Sequence, residues 1–230
     1  MDAPPQPAPR EHRRSRPGLR DLLVVIALAA VLAWLFTLYG PLNHGPERWV
    51  LKTPLDARIP LVKPLVIPYV SIFVVAAVTV GTFLLRSLRM AQSLLLASAL
   101  TLIVAYLFYA YAQTYVARPV VTGDDVFSRL LRFVYGNDNA FNCFPSLHTA
   151  FSVVMGVHWM WFNPRVGRYV AGWCGLIVVS TVFVHQHYVA DVAGGIVIAG
   201  AACLIARRLT ARRPTTTPPG GHADGVHDAP

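Results

Sequence analysis

Six apolar runs, set apart by polar or proline-rich segments, divide the chain. They are Leu22 to Tyr39, Val66 to Leu85, Ala91 to about Val116, Ser146 to Phe162, about Tyr169 to Val184, and Tyr188 to Ala206. A transmembrane helix needs about 20 apolar residues. The pattern therefore predicts an all-α protein, a polytopic membrane bundle of six helices over residues 21–208. Basic residues precede the first run, as in a signal peptide. Its apolar stretch exceeds the ~7–15 residues of such a peptide and no small-x-small cleavage site follows, so an uncleaved span is expected. Pro41 to Pro64 reads as an interfacial loop with five prolines, in which Trp49 dips toward lipid. A short amphipathic helix is expected from Phe127 to Tyr135, capped by Asp124 or Asp125 and stopped by Gly136. Asn163-Pro164 closes the fourth span. Met1 to Arg20 and residues 209–230, rich in Pro, Arg, Thr or Gly, are expected to be disordered tails.

Composition narrows the class. Of the 230 residues 55% are hydrophobic and 13% charged, against about 25% charged in globular domains. The net charge of +9 does not point to nucleic acid, because the basic residues lie between apolar runs and not along one face. They do orient the bundle. Thirteen of the 20 Lys and Arg fall in the two tails and in the connections holding Arg86, Arg89, Arg165 and Arg168. The positive-inside rule places these on the cytoplasmic side of a cell membrane, with both termini. Arg118, His148, His187 and Asp191 then fall together on the extracytoplasmic side. The three cysteines, Cys143, Cys174 and Cys203, form neither a disulfide framework nor a metal spacing.

These residues permit phosphoryl transfer. His187 and Asp191 are four apart at the mouth of an apolar run and share a helix face. Asp191 can hold one ring nitrogen of His187 and leave the other as a nucleophile. His148 can protonate the leaving oxygen and later deprotonate the acceptor. Arg118 carries a fork suited to phosphate oxygens. Ser146 stands at a helix start, where unsatisfied N–H groups favour an anion. Two histidines and an aspartate could instead ligate zinc, but neither their spacing nor the surrounding residues argue for it. No metal or cofactor is expected. His158 belongs near the opposite interface and reads as structural. Gly195, Ala199 and Cys203, four apart, read as helix packing.

Arg118-Pro119, Pro145-Ser146-Leu147-His148 and His187-Tyr188-Val189-Ala190-Asp191 resemble, in order, the three signature motifs of the type 2 phosphatidic acid phosphatase superfamily. The PSLH and HYxxD forms are similar to the branch that includes fungal inositol phosphorylceramide synthases. The resemblance covers roughly Val66 to Ala206. It implies a six-helix core, His187 as nucleophile, Asp191 as its partner, His148 as acid/base, and Arg118, Ser146 and Ser180 as phosphate binders. The chain departs from the pattern twice. Tyr111 stands where the superfamily has a lysine, and Thr181 where it has an arginine. Arg129, Arg132 or Lys63 are candidates for the lost charge. Tyr111, Tyr115, Asn142 and His185 are possible substrate contacts.

The expected substrate is a lipid phosphate or phospholipid in the membrane, attacked by water or by an alcohol such as inositol or a sugar. Hydrolase and transferase share their first step, and the sequence does not divide them. The competing readings are a lipid transporter, which requires polar residues near mid-bilayer and on both sides, and a catalytically dead scaffold.

Overall fold

The computed structural model describes residues 18–46 and 48–211. The helices are α1 (Leu19–Thr37), α2 (Tyr39–Leu42), α3 (Val66–Val70), α4 (Ile72–Arg86), α5 (Leu88–Tyr111), α6 (Val126–Asn137), α7 (Leu147–Phe162), α8 (Pro164–Phe183) and α9 (Val189–Thr210). Five stretches among the described residues are long and apolar enough to cross a membrane: Leu19–Leu42, Lys63–Arg86, Leu88–Tyr111, Pro164–Phe183 and Val189–Thr210. The sixth member of the bundle, α7, has 16 residues. It packs against α8, α9, α5 and α4, and α5 packs against α9 and α1. The polytopic helical bundle anticipated from the sequence is therefore present. The parts of both tails beyond residues 18–211 lie outside the described residues.

Side chains that satisfy free amides set the helix starts. Ser87 accepts from the Met90 N–H and opens α5. Asn163 accepts from the N–H groups of Arg165 and Val166 and opens α8, with Pro164 in its first turn. Arg165 and Arg168 thus belong to α8 itself and not to a loop. Asp125 caps α6, which runs through Gly136 instead of stopping there, because the Asp138 N–H still finds the Val134 carbonyl.

Close approach of backbones explains two glycines. A Cβ on Gly167 would lie 2.7 Å from the Trp159 and Met160 backbone, where α8 turns back on α7. One on Gly195 would lie 2.6 Å from the Ser146 carbonyl oxygen. Gly195, Ala199 and Cys203 are all buried in α9, as the small-residue spacing suggested. Some polar groups inside the bundle are paired, although the Thr149 and Ser152 hydroxyls of α7 are buried without a partner among the described residues. His158 is fully buried, its ring nitrogens 2.8 Å from the Val154 carbonyl and 3.0 Å from Ser93 Oγ. The Trp159 indole donates to Thr79 Oγ1.

Two further boundaries differ from expectation. The second span is broken at Ser71, where Pro68 offers its carbonyl to the Ser71 hydroxyl at 2.7 Å and α3 gives way to α4. The third helix ends at Tyr111 and not near Val116. Gln113 explains it: its side chain serves the carbonyl of Leu42 and both the side chain and N–H of Asn142, so the chain runs extended past the bundle. A bridge between Trp49 and Thr114 continues that extended stretch.

Candidate active site

One end of the bundle collects the polar residues. The loop from Asp138 to Pro145 is tied down on every side. Asp138 accepts from the Tyr39 hydroxyl and from Asn43 Nδ2. Asn142, in the left-handed region at φ 55, is clasped by Gln113 and donates to the Tyr39 carbonyl. Thr114 Oγ1 accepts from the Phe144 N–H, and the Tyr109 hydroxyl donates to the Pro145 carbonyl. Asn142, a possible substrate contact by sequence, is buried and orders this loop.

The loop delivers Ser146 to the start of α7. Ser146 is fully buried, its hydroxyl accepts from the Thr149 N–H, and its own N–H donates to the Asp191 carbonyl at 3.0 Å. That last bond joins the first turns of α7 and α9. The N–H groups of Leu147 and His148 make no hydrogen bond among the described residues. They lie at the positive end of the α7 dipole.

A tight turn brings His187 to the same place. The Thr181 carbonyl accepts from the N–H groups of both Gln186 and His187, and His185 reverses the chain at φ 51. Asp191, fully buried, accepts from the Tyr188 N–H at 2.7 Å through Oδ2. The same oxygen lies 3.6 Å from His187 Nδ1. His187 Nδ1 and Asp191 Oδ1 are buried and have no hydrogen-bond partner. With Nδ1 turned to Asp191, Nε2 is the ring nitrogen left to the cleft. The rings of His148 and His187 lie 6.4 Å apart between centroids. Tyr69 stacks on the His148 ring at 4.2 Å, and His148 Nε2 is buried without a partner among the described residues. Buried polar atoms are ordinarily hydrogen-bonded, and here several that are not belong to the residues of one cluster.

Arg118 stands beside this cluster, but its fork is largely occupied. Its two terminal nitrogens donate to the carbonyls of Tyr135, Asp138 and Asn139 and to the Gln186 side chain. The guanidinium also covers the Tyr135 ring at 4.9 Å. Only Nε, buried and unpartnered, is unspent.

Of the remaining candidates, His185 joins the cleft at His187, with its Nε2 buried and unpaired. Ser180 and Thr181 are buried and return their hydroxyls to their own helix, at the Ile177 and Val178 carbonyls. Tyr111 ends α5 with its side chain exposed. Tyr115 lies against Phe141 on the extended strand of chain. Lys63 spends its donors on Thr122, Ser128 and Asp125. Arg132 bonds the loop before α6. Four residues that sequence reasoning did not single out stand close by: Lys52, Asp56, Tyr69 and Gln186. Only Asp56 carried a hint, as an acidic residue in a basic, proline-rich loop.

A family description, that of the PAP2 superfamily, matches residues 42–205. The chain belongs to the PAP2 superfamily. No curated protein and no solved structure matches it. The PAP2 match takes in α3 to α8 whole and α9 as far as Ile205, with the broken second span and nearly all of the proline-rich loop inside it. A PAP2 protein built as an apolar helical bundle supports a phosphatase-type action on a lipid phosphate.

Proposed function

We propose that this chain cleaves the phosphate ester of a membrane lipid through a phosphohistidine. His187 Nε2 attacks phosphorus with its lone pair. The bond from phosphorus to the ester oxygen breaks, and His148 gives that oxygen its proton. Water or an alcohol then attacks the phosphohistidine and loses a proton to His148, and the phosphorus–nitrogen bond breaks. Asp191 holds the Nδ1 side of His187 and stabilises the charge the ring acquires. The open N–H groups of Leu147 and His148, with Arg118 Nε, face the phosphoryl oxygens. Ser146 and Ser180 act through the helix ends they fix.

The observation that carries this reading is the 6.4 Å separation of two imidazoles whose buried nitrogens lack partners. That spacing suits one phosphorus between them. The polar groups gather at one end of the bundle, which favours an enzyme over a transporter. The charge asymmetry supports an orientation with this end outside the cell membrane and both termini in the cytoplasm.

Purified protein incubated with labelled lipid phosphates, with and without inositol or sugar acceptors, tests the reading and separates hydrolysis from transfer by product. An acid-labile phosphoenzyme is expected, and His187→Ala should abolish it. Full activity in that variant would refute the mechanism.

A further inference from the structure

A phosphate ester carries one or two negative charges into a site where most nearby cations are already committed. The terminal nitrogens of Arg118 serve loop carbonyls and Gln186. Lys63 and Arg132 serve the segment before α6. The cleft that holds His187 is lined also by Lys52, Asp56, Ile59, His185 and Tyr188. Lys52 is exposed there and makes no hydrogen bond or ion pair among the described residues. No ion pair joins Lys52 to Asp56, whose oxygens accept from the Thr53 N–H and hydroxyl and from the Val189 N–H. Those bonds fix the loop, and with it Lys52, to the first turn of α9. His185, whose Nε2 is buried and unpaired among the described residues, and the His187 ring line the same cleft.

We infer that Lys52 is a substrate-binding residue: its ammonium, reaching in from the proline-rich loop, meets the phosphoryl oxygens at His187, with His185 Nε2 as a second donor. This rests on the phosphohistidine reading for its place in turnover, but not for the binding of an anion. The loop is then part of the site, and the segment between α2 and α3 supplies charge that the helices lack.

Vanadate binding to the purified full-length protein tests this without turnover. Lys52→Ala should weaken vanadate about tenfold, the worth of one charge-assisted hydrogen bond. Lys52→Arg should restore most of it. Arg58→Ala, an exposed cation of the same loop, should leave it unchanged. With a lipid phosphate, Lys52→Ala should raise KM by a similar factor and leave kcat nearly untouched. Vanadate binding unchanged in Lys52→Ala overturns the inference and leaves the phosphohistidine reading standing. Lys52-dependent vanadate binding without turnover of any lipid phosphate upholds the inference and removes that reading. A wild-type protein that binds no vanadate overturns both.

Discussion

Tyr69 lies almost parallel to the His148 imidazole, with the planes 13° apart, and Phe73 meets the same ring edge-on at 6.5 Å. Two aromatic walls therefore fix the ring plane while its Nε2 stays unpaired. An acid/base group misplaced by a fraction of an ångström loses much of its effect. Tyr69→Leu should lower kcat about tenfold, and Tyr69→Phe, which keeps the stack, should not. The pH–rate profile checks this: loss of the stack should shift its limb, whereas mere destabilisation would lower Tm and leave the profile in place. At this scale the sequence is readable where spacing is local. The four-residue spacing of His187 and Asp191 pointed to the pair, but His187 precedes the cap residue Tyr188 and is not helical, so the two meet through the turn into α9 that the Asp191 carboxylate closes on the Tyr188 N–H. Tyr69 could not be found so, since its partner is distant in the chain and a tyrosine in an apolar run looks like any other. Arg118 was visible as a cation, but the carbonyls that occupy it belong to irregular chain with no periodic signature.

At the scale of elements, the proline-rich loop is fastened to α9 by Asp56. Burial works against the charge of this carboxylate, but hydrogen bonds from Thr53 and Val189 outweigh it and hold the group below its ordinary value. A carboxyl depressed in the folded state stabilises above about pH 3.9, its usual value, and that contribution is lost as pH falls through the folded one. Asp56→Ala should cost about 1.5–3 kcal/mol at neutral pH, the range for hydrogen bonds to a charged group. The difference in Tm between wild type and variant should shrink below about pH 4, as thermal melts across pH would show. The starts at Ser146 and Asp125 were legible as caps, whereas Asn163, read only as the close of the fourth span, also caps α8. The early end of α5 was not legible. It depends on Gln113 finding Leu42 and Asn142, and hydropathy alone extends the apolar run through Tyr115 and Val116.

For the molecule as a whole, the apolar runs were enough to anticipate a polytopic helical bundle. They could not show how the bundle is layered, because α1 and α7 read alike along the chain. In the fold α1 lies at the edge and α7 against four other helices. Orientation has a direct test. Single cysteines at Arg58 and at Arg86, in a background lacking the three native ones, should react differently with an impermeant maleimide in intact cells. Arg58→Cys should label at once and Arg86→Cys only after permeabilisation. The reverse pattern would turn the site toward the cytoplasm.

The brevity of α7 bears on the lipid itself. Its 16 residues rise about 24 Å, against about 30 Å of hydrocarbon in a typical bilayer. The histidine at its head therefore stands recessed, about one helical turn below the headgroup plane if the far end is level with the opposite surface. A lipid must sink its phosphate into that recess, or the leaflet must thin around the protein. Under the phosphohistidine proposal bilayer thickness should then control turnover, with short-chain vesicles expected to be the faster medium.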